Sequence, residues 1–133
     1  MKYMLDTNIC IFIMKKSSEI LKRKFSGISE DAVCISSLTF AELMHGIEKS
    51  ERKAKNMRVL LAFLKNIPII SFDSSAAAMY GNVMARLELK GNKIGPIDTL
   101  IAGHALSENL TLVTNNTREF ERVEGLKVED WTK

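Results

Sequence analysis

Gly95-Pro96-Ile97-Asp98-Thr99-Leu100-Ile101-Ala102-Gly103-His104-Ala105, followed a few residues on by Leu110-Thr111-Leu112-Val113-Thr114, is the stretch that decides the fold. Gly95 and Pro96 mark a turn after Lys93-Ile94, and proline suits a first helical position, where a backbone N–H has no partner anyway. Ile97, Leu100, Ile101 and Ala105 recur at helical spacing, while Ala102 and Gly103 leave room for another backbone to come close. The second segment is short and nearly continuously apolar, as a buried strand is. Asp98 falls in the first helical turn, near its positive end. Its carboxylate either supports the helix start or is a ligand held on a rigid element.

The same alternation runs outward in both directions. Met1 to Leu5 reads as a buried strand emptying into Asp6-Thr7-Asn8, where Thr7 or Asn8 can cap a helix beginning at Ile9. Ile9 to Lys15 is so uniformly apolar that packing on both sides is expected, and Ser18 to Phe25 should form a short helix with basic side chains outward. Ala32 to Ser36 is the next strand, after which Ser37 or Thr39 starts a helix with Phe40, Leu43, Met44 and Ile47 on one face. Glu42 lies far from that stripe, as plain surface or facing a cleft. Glu51 to Ile67 predicts an amphipathic helix with Met57, Leu60, Leu61 and Leu64 inward, stopped by Pro68. Ile69 to Phe72 is a strand, Asp73-Ser74-Ser75 a cap, and Ala76, Tyr80, Val83, Met84 and Leu87 the apolar face of the following helix. Beyond Thr114, Arg118 to Val123 is a short helix or turn and Leu126 to Val128 an edge strand. Strands separated by helices indicate an α/β fold: a parallel sheet of four to five strands, with helices on both faces. One domain over residues 1–133 accounts for the length, with no repeat or linker.

Composition narrows the chemistry. No apolar run approaches the roughly 18 residues that span a bilayer, and the start lacks signal-peptide features, so a soluble cytoplasmic protein with no membrane contact is expected. Cys10 and Cys34 have no metal-site spacing and are expected to be buried small hydrophobes. His45 and His104 are too few and too scattered for a zinc site or a nucleophilic triad. The net charge of +3 suits an anionic partner without requiring one. Basic side chains gather at Lys15, Lys16 and Lys22 to Lys24, and again from Lys49 to Arg58, where solvated helix faces also explain them.

Ligands of an open parallel sheet gather beyond the carboxyl ends of its strands. Asp6 follows the first strand, Asn115, Asn116 and Glu119 follow the strand through Val113, Asp98 opens the helix before that strand, and Glu42 lies one or two turns after the second. Carboxylates converging on one rim either hold protons at raised pKa or bind cations. An all-oxygen ligand set favours Mg²⁺ or Mn²⁺ over zinc. Such an ion beside basic helices suits phosphodiester chemistry, because it activates water and neutralises developing charge.

Four segments together resemble a known family. Met4-Leu5-Asp6-Thr7-Asn8, Ile35 to Leu43 with Gly46, Ile94 to Ala105, and Val113 to Phe120 are similar, in order and spacing, to the PIN domain of VapC-type toxins. The resemblance runs from Met4 to about Trp131. It implies a PIN-like fold and a divalent-metal-dependent endoribonuclease, the toxin of a type II toxin-antitoxin pair. It further implies a homodimer held inactive by a VapB-like antitoxin in a higher assembly, and structured RNA substrates such as a tRNA stem-loop. Carried onto this sequence, Asp6, Glu42 and Asp98 correspond to the metal-binding acids. Asn116 stands where many PIN domains have Asp, so it adds no charge, and Glu119 is the nearest acid left to reach the ion. Thr7 and Thr114 would hydrogen-bond the acids, Thr7 being equally suited to capping. Arg86 and Arg118 are candidates to clamp phosphates, or are simply solvent-facing.

Two other readings compete. Asp6 follows the first strand as an aspartyl-phosphate nucleophile would, but Asp6-Thr7-Asn8 lacks a second acid two residues on. A catalytically inactive PIN-like module that binds RNA or protein is the other, suggested by Asn116.

Overall fold

The computed structural model describes all 133 residues. Five strands, β1 (Tyr3–Leu5), β2 (Val33–Ser36), β3 (Ile69–Ile70), β4 (Thr111–Val113) and β5 (Val128–Glu129), form one sheet in the order β3-β2-β1-β4-β5. Every pairing is parallel. Seven helices cover the sheet: α1 (Thr7–Lys15), α2 (Glu19–Ser26), α3 (Ser37–Lys49), α4 (Lys53–Leu64), α5 (Ser74–Leu89), α6 (Pro96–Ser107) and α7 (Thr117–Phe120).

Strand side chains alternate between two cores, as the twofold period of a strand requires. Tyr3, Leu5, Val33, Ile35 and Val113 face a cluster completed by Ile9, Leu21, Leu43, Leu60 and Trp131. Met4, Cys34 and Leu112 face the other, with Val83, Leu87, Ile101, Ala102, Ala105 and Phe120. Helices α1 to α4 therefore cover one face and α5 to α7 the opposite one, as the apolar strands predict. Both cysteines are buried within these layers.

Several boundaries and packings differ from expectation. Helix α1 begins at Thr7, and Asp6 is its cap, accepting a hydrogen bond from the Ile9 N–H at 3.1 Å. Only Ile9 and Cys10 of α1 are buried, while Ile11 to Met14 are half-exposed, so the helix is packed on one side. Ser36, not Ser37 or Thr39, caps α3. Helix α4 is confined to Lys53–Leu64, with Leu60 buried and Leu61 59% exposed; Phe63 takes the inward place expected of Leu61. Ile97 is likewise exposed, because it lies in the first turn of α6, before the buried run from Ile101 to Ala105. Gly103 does permit a close approach: a Cβ there would lie 2.8 Å from Tyr80 Cα on α5. No helix is long and apolar enough to cross a membrane.

Candidate functional site

The chain runs from β1 out to β3 on one side and then returns to place β4 on the other side of β1, so the direction of winding reverses between β1 and β4. That reversal opens a crevice at the carboxyl ends of these strands. The register pairs Leu5 with Val113, which brings the next residues, Asp6 and Thr114, side by side. Thr114 Oγ1 donates to Asp6 Oδ2 at 2.5 Å, and the Asn116 N–H donates to Thr114 Oγ1 at 3.0 Å. Asp6 is thus held from both sides, by its own helix and by the β4 turn. Burial pushes its carboxyl above the usual range, against the lowering effect of those hydrogen bonds.

Glu42 comes to the same rim from the middle of α3. Its Oε1 accepts a hydrogen bond from Thr7 Oγ1, the residue after Asp6, so it faces the cleft and is not plain surface. Asp98 arrives from the first turn of α6, where Thr99 locks the helix start by donating its hydroxyl to the Gly95 carbonyl at 2.9 Å. Glu119 reaches in from α7, its Oε2 accepting from Asn116 Nδ2 at 2.7 Å. The Asp98 carboxyl is pushed up to about 6, first by burial, then by hydrogen bonding and charge from Glu119, and further by Asp6 and Glu42. The Asp98 and Glu119 carboxyls stand close enough to make ionising both costly, a repulsion that a bound cation would relieve.

No three acids already close on a single point. Asp6, Glu42 and Glu119 are nonetheless oriented by hydrogen-bonding neighbours and keep free acceptor capacity: Glu42 Oε2 and Glu119 Oε1 have no protein partner, and each Asp6 oxygen retains a lone pair. Oxygen-only donors around an unrelieved negative potential suit a hard divalent cation, with water completing its shell.

Comparison with known proteins identifies the family to which this fold belongs. Residues 3–126 match the PIN domain family. The tRNA(fMet)-specific endonuclease VapC of Shigella flexneri is 46% identical over 132 residues, covering 99% of each chain. The chain belongs to the PIN-domain family, among its VapC ribonucleases. The toxin fold is also found in solved assemblies. DNA-bound VapBC of Salmonella typhimurium superposes with a TM-score of 0.93 at 44% identity, covering 98% of both chains. VapBC2 of Rickettsia felis bound to a promoter DNA fragment gives 0.91 at 41% identity, over 98% of this chain and 99% of that one.

In this VapC-family chain the two arginines stand apart from the acids' hydrogen bonds. Arg86 pairs with Glu124 at 3.3 Å, a bridge shared with Lys90 at 3.6 Å, and all three side chains are more than half exposed. Arg118 is exposed beside Glu119 and forms no ion pair. A groove of about 500 Å³ between α1, α3 and α4 is lined by Glu42 together with Ile11, Met14, Leu43, Val59, Lys15 and Lys55. Leu60, on the inward face of α4 as its spacing predicts, is 1% exposed and serves the core. Sequence reasoning did not find the capping role of Asp6, since Thr7 and Asn8 are equally good caps by type. It also missed Ser36, whose hydroxyl caps α3 and contacts His104 across the fold.

Proposed function

We propose that this chain is the toxin of a VapBC-type module, acting in the cytoplasm as a divalent-metal-dependent endoribonuclease on structured RNA, with initiator tRNA the first substrate to test. What carries the reading is the arrival of Asp6, Glu42, Asp98 and Glu119, from four distant segments, at one switch-point crevice where the other three all act on Asp98. Asp6, Glu42 and Asp98 would hold Mg²⁺ or Mn²⁺, with Glu119 reaching it directly or through water. When bound, such an ion supplies an activated water and neutralises charge on the phosphate oxygens. Thr114 and Thr7 keep the Asp6 and Glu42 carboxylates aimed, and Asn116 orients Glu119. Asn116 adds no charge of its own, which favours one tightly held ion over two.

The relatives described as VapBC support a VapB-like antitoxin as partner, and a toxin homodimer joined in a higher assembly is part of the same proposal. The groove that Glu42 helps to line is where an antitoxin segment would reach the acids. An aspartyl-phosphate pathway is disfavoured, because Asn8 stands two residues after Asp6 where that chemistry needs a second acid. The presence of Asp6, Glu42 and Asp98 at one rim, with Glu119 beside them, also disfavours an inactive module.

Purified protein incubated with a tRNA pool should cut it when Mg²⁺ or Mn²⁺ is present and stop on chelation. Asp6→Asn and Asp98→Asn should each lower the rate by on the order of a hundredfold or more and relieve growth arrest. Cutting that continues unchanged in both variants would overturn the assignment.

A further inference from the structure

His104 has no part in the chemistry above, yet its surroundings are specific. The ring is 0% exposed and lies on α6, the helix that carries Asp98. Its Nδ1 is 2.8 Å from Ser36 Oγ. That oxygen already accepts the Leu38 N–H at 3.0 Å as the cap of α3, the helix that carries Glu42. Ser36 keeps its hydroxyl proton free to donate to Nδ1, and with that direction the imidazole proton sits on Nε2. Burial lowers the pKa of His104, in keeping with a neutral ring that accepts.

The corner is tied down on its other side as well. The Phe72 ring meets the imidazole edge-on, with centroids 5.4 Å apart, and the Phe72 N–H donates to Ser37 Oγ at 2.9 Å. No other hydrogen bond joins α6 to β2 or α3. Nε2 makes no hydrogen bond of ordinary geometry, although the Ser71 backbone lies near enough to act on the ring, so the bond to Ser36 is the one well-formed hydrogen bond of the buried imidazole. A leucine would fill the space without the unmet Nε2, but would leave the buried Ser36 hydroxyl without its acceptor. Packing alone accounts poorly for a histidine here.

We propose that His104 is a positioning residue: through Ser36 it sets α3 against α6, and so fixes the spacing between Glu42 and Asp98. Both acids sit on rigid helices, so a small rotation of either helix displaces a carboxylate oxygen from the other. The inference rests on the metal-centre reading of those acids, because the spacing matters only if one ion spans them.

The test compares wild type, His104→Leu, His104→Asn and Ser36→Ala by Mn²⁺ titration calorimetry, thermal melting and RNA-cleavage kinetics. His104→Leu removes the acceptor and should weaken Mn²⁺ binding about tenfold or more, lowering kcat while leaving KM nearly unchanged. His104→Asn places its Oδ1 near the position of Nδ1 and should recover most of the Mn²⁺ affinity. Ser36→Ala should match His104→Leu, and the double variant should be no weaker than either, as for two members of one link. Equal Mn²⁺ affinity in wild type and His104→Leu overturns the inference, as does an asparagine variant no better than leucine. Should His104→Leu fail to fold, Ser36→Ala and His104→Asn decide: wild-type affinity in Ser36→Ala overturns the link, and weakened binding there with retention in His104→Asn supports it. A wild-type protein that binds no Mn²⁺ overturns the metal centre itself and the inference with it, whereas binding by wild type with indifferent variants overturns the inference alone.

Discussion

Asp98 is under opposing influences. Its place in the first turn of α6 favours the ionised form by about 0.3–1 kcal/mol, but burial and three neighbouring acids outweigh that and raise its carboxyl to about 6. A raised carboxyl pKa makes the ionised form a cost to the metal-free fold. That cost is absent below about 3.8, grows as pH rises through about 6, and is complete above it. Asp98→Asn should therefore raise the melting temperature of the metal-free protein by a few degrees at pH 8. The gain should shrink as pH falls through about 6 and vanish near 4, when followed by calorimetry across that range. A variant that melts below wild type at pH 8 would show that the helix-start role dominates. Asp6 and Asp98 were legible because each sits directly against a strand end or a proline turn. Glu42 was legible only as a choice between surface and cleft, since a helical wheel shows which face is polar and not what the polar face meets. The contact between Ser36 and His104 was not legible, because the residues lie 68 positions apart and neither has a periodicity that announces a partner.

At the scale of elements, α6 is fixed mainly by its contact with α5. At Gly103 a Cβ would meet Tyr80 Cα at 2.8 Å and Tyr80 N at 2.9 Å, both backbone atoms that cannot rotate aside. Gly103→Ala should force the helices apart, destabilise the protein by about 1–3 kcal/mol, and weaken Mn²⁺ binding because Asp98 moves with α6. Gly46 in α3 is the matching control, since nothing lies within 4 Å of a Cβ placed there. Gly46→Ala should be neutral or stabilising by up to about 1 kcal/mol through helix propensity. Equal melting temperatures for the two variants would remove the close approach as a determinant of the site. The sequence shows small residues at Ala102 and Gly103, and the approach follows from them. The centres of the strands were equally legible, their apolar runs being unmistakable. Their ends were not: Phe72 has strand character, yet the ladder stops at Ile70, where β3 is an edge with a single neighbour. Helix starts failed for a related reason, because Asp6, Thr7 and Asn8 are adjacent residues of equal capping ability and tertiary contacts choose among them.

For the whole molecule, the decisive fact is that the acids belong to parts of the chain that only the complete fold brings together. Asp6 and Glu42 come with β1 and α3, Asp98 and Glu119 with α6 and α7, and the two pairs meet across the boundary between β1 and β4. An ion bound there interacts with the native state and finds no preformed site in the unfolded chain, so its binding free energy adds to global stability. With Mn²⁺ at 100 times its dissociation constant the gain is about 2.7 kcal/mol, or roughly 8 °C in melting temperature for a domain of this size. Calorimetry should show the single transition moving upward as a unit, because the ligands span both halves of the sheet. Chelation should reverse the shift, and Asp6→Asn should abolish most of it. The shift should also diminish below about pH 6, where Asp98 retains the proton that the ion must displace. A melting temperature indifferent to Mn²⁺ and Mg²⁺ at millimolar concentration would mean that the four carboxylates meet without holding a cation, and the hydrolytic chemistry would have to be sought elsewhere on the fold.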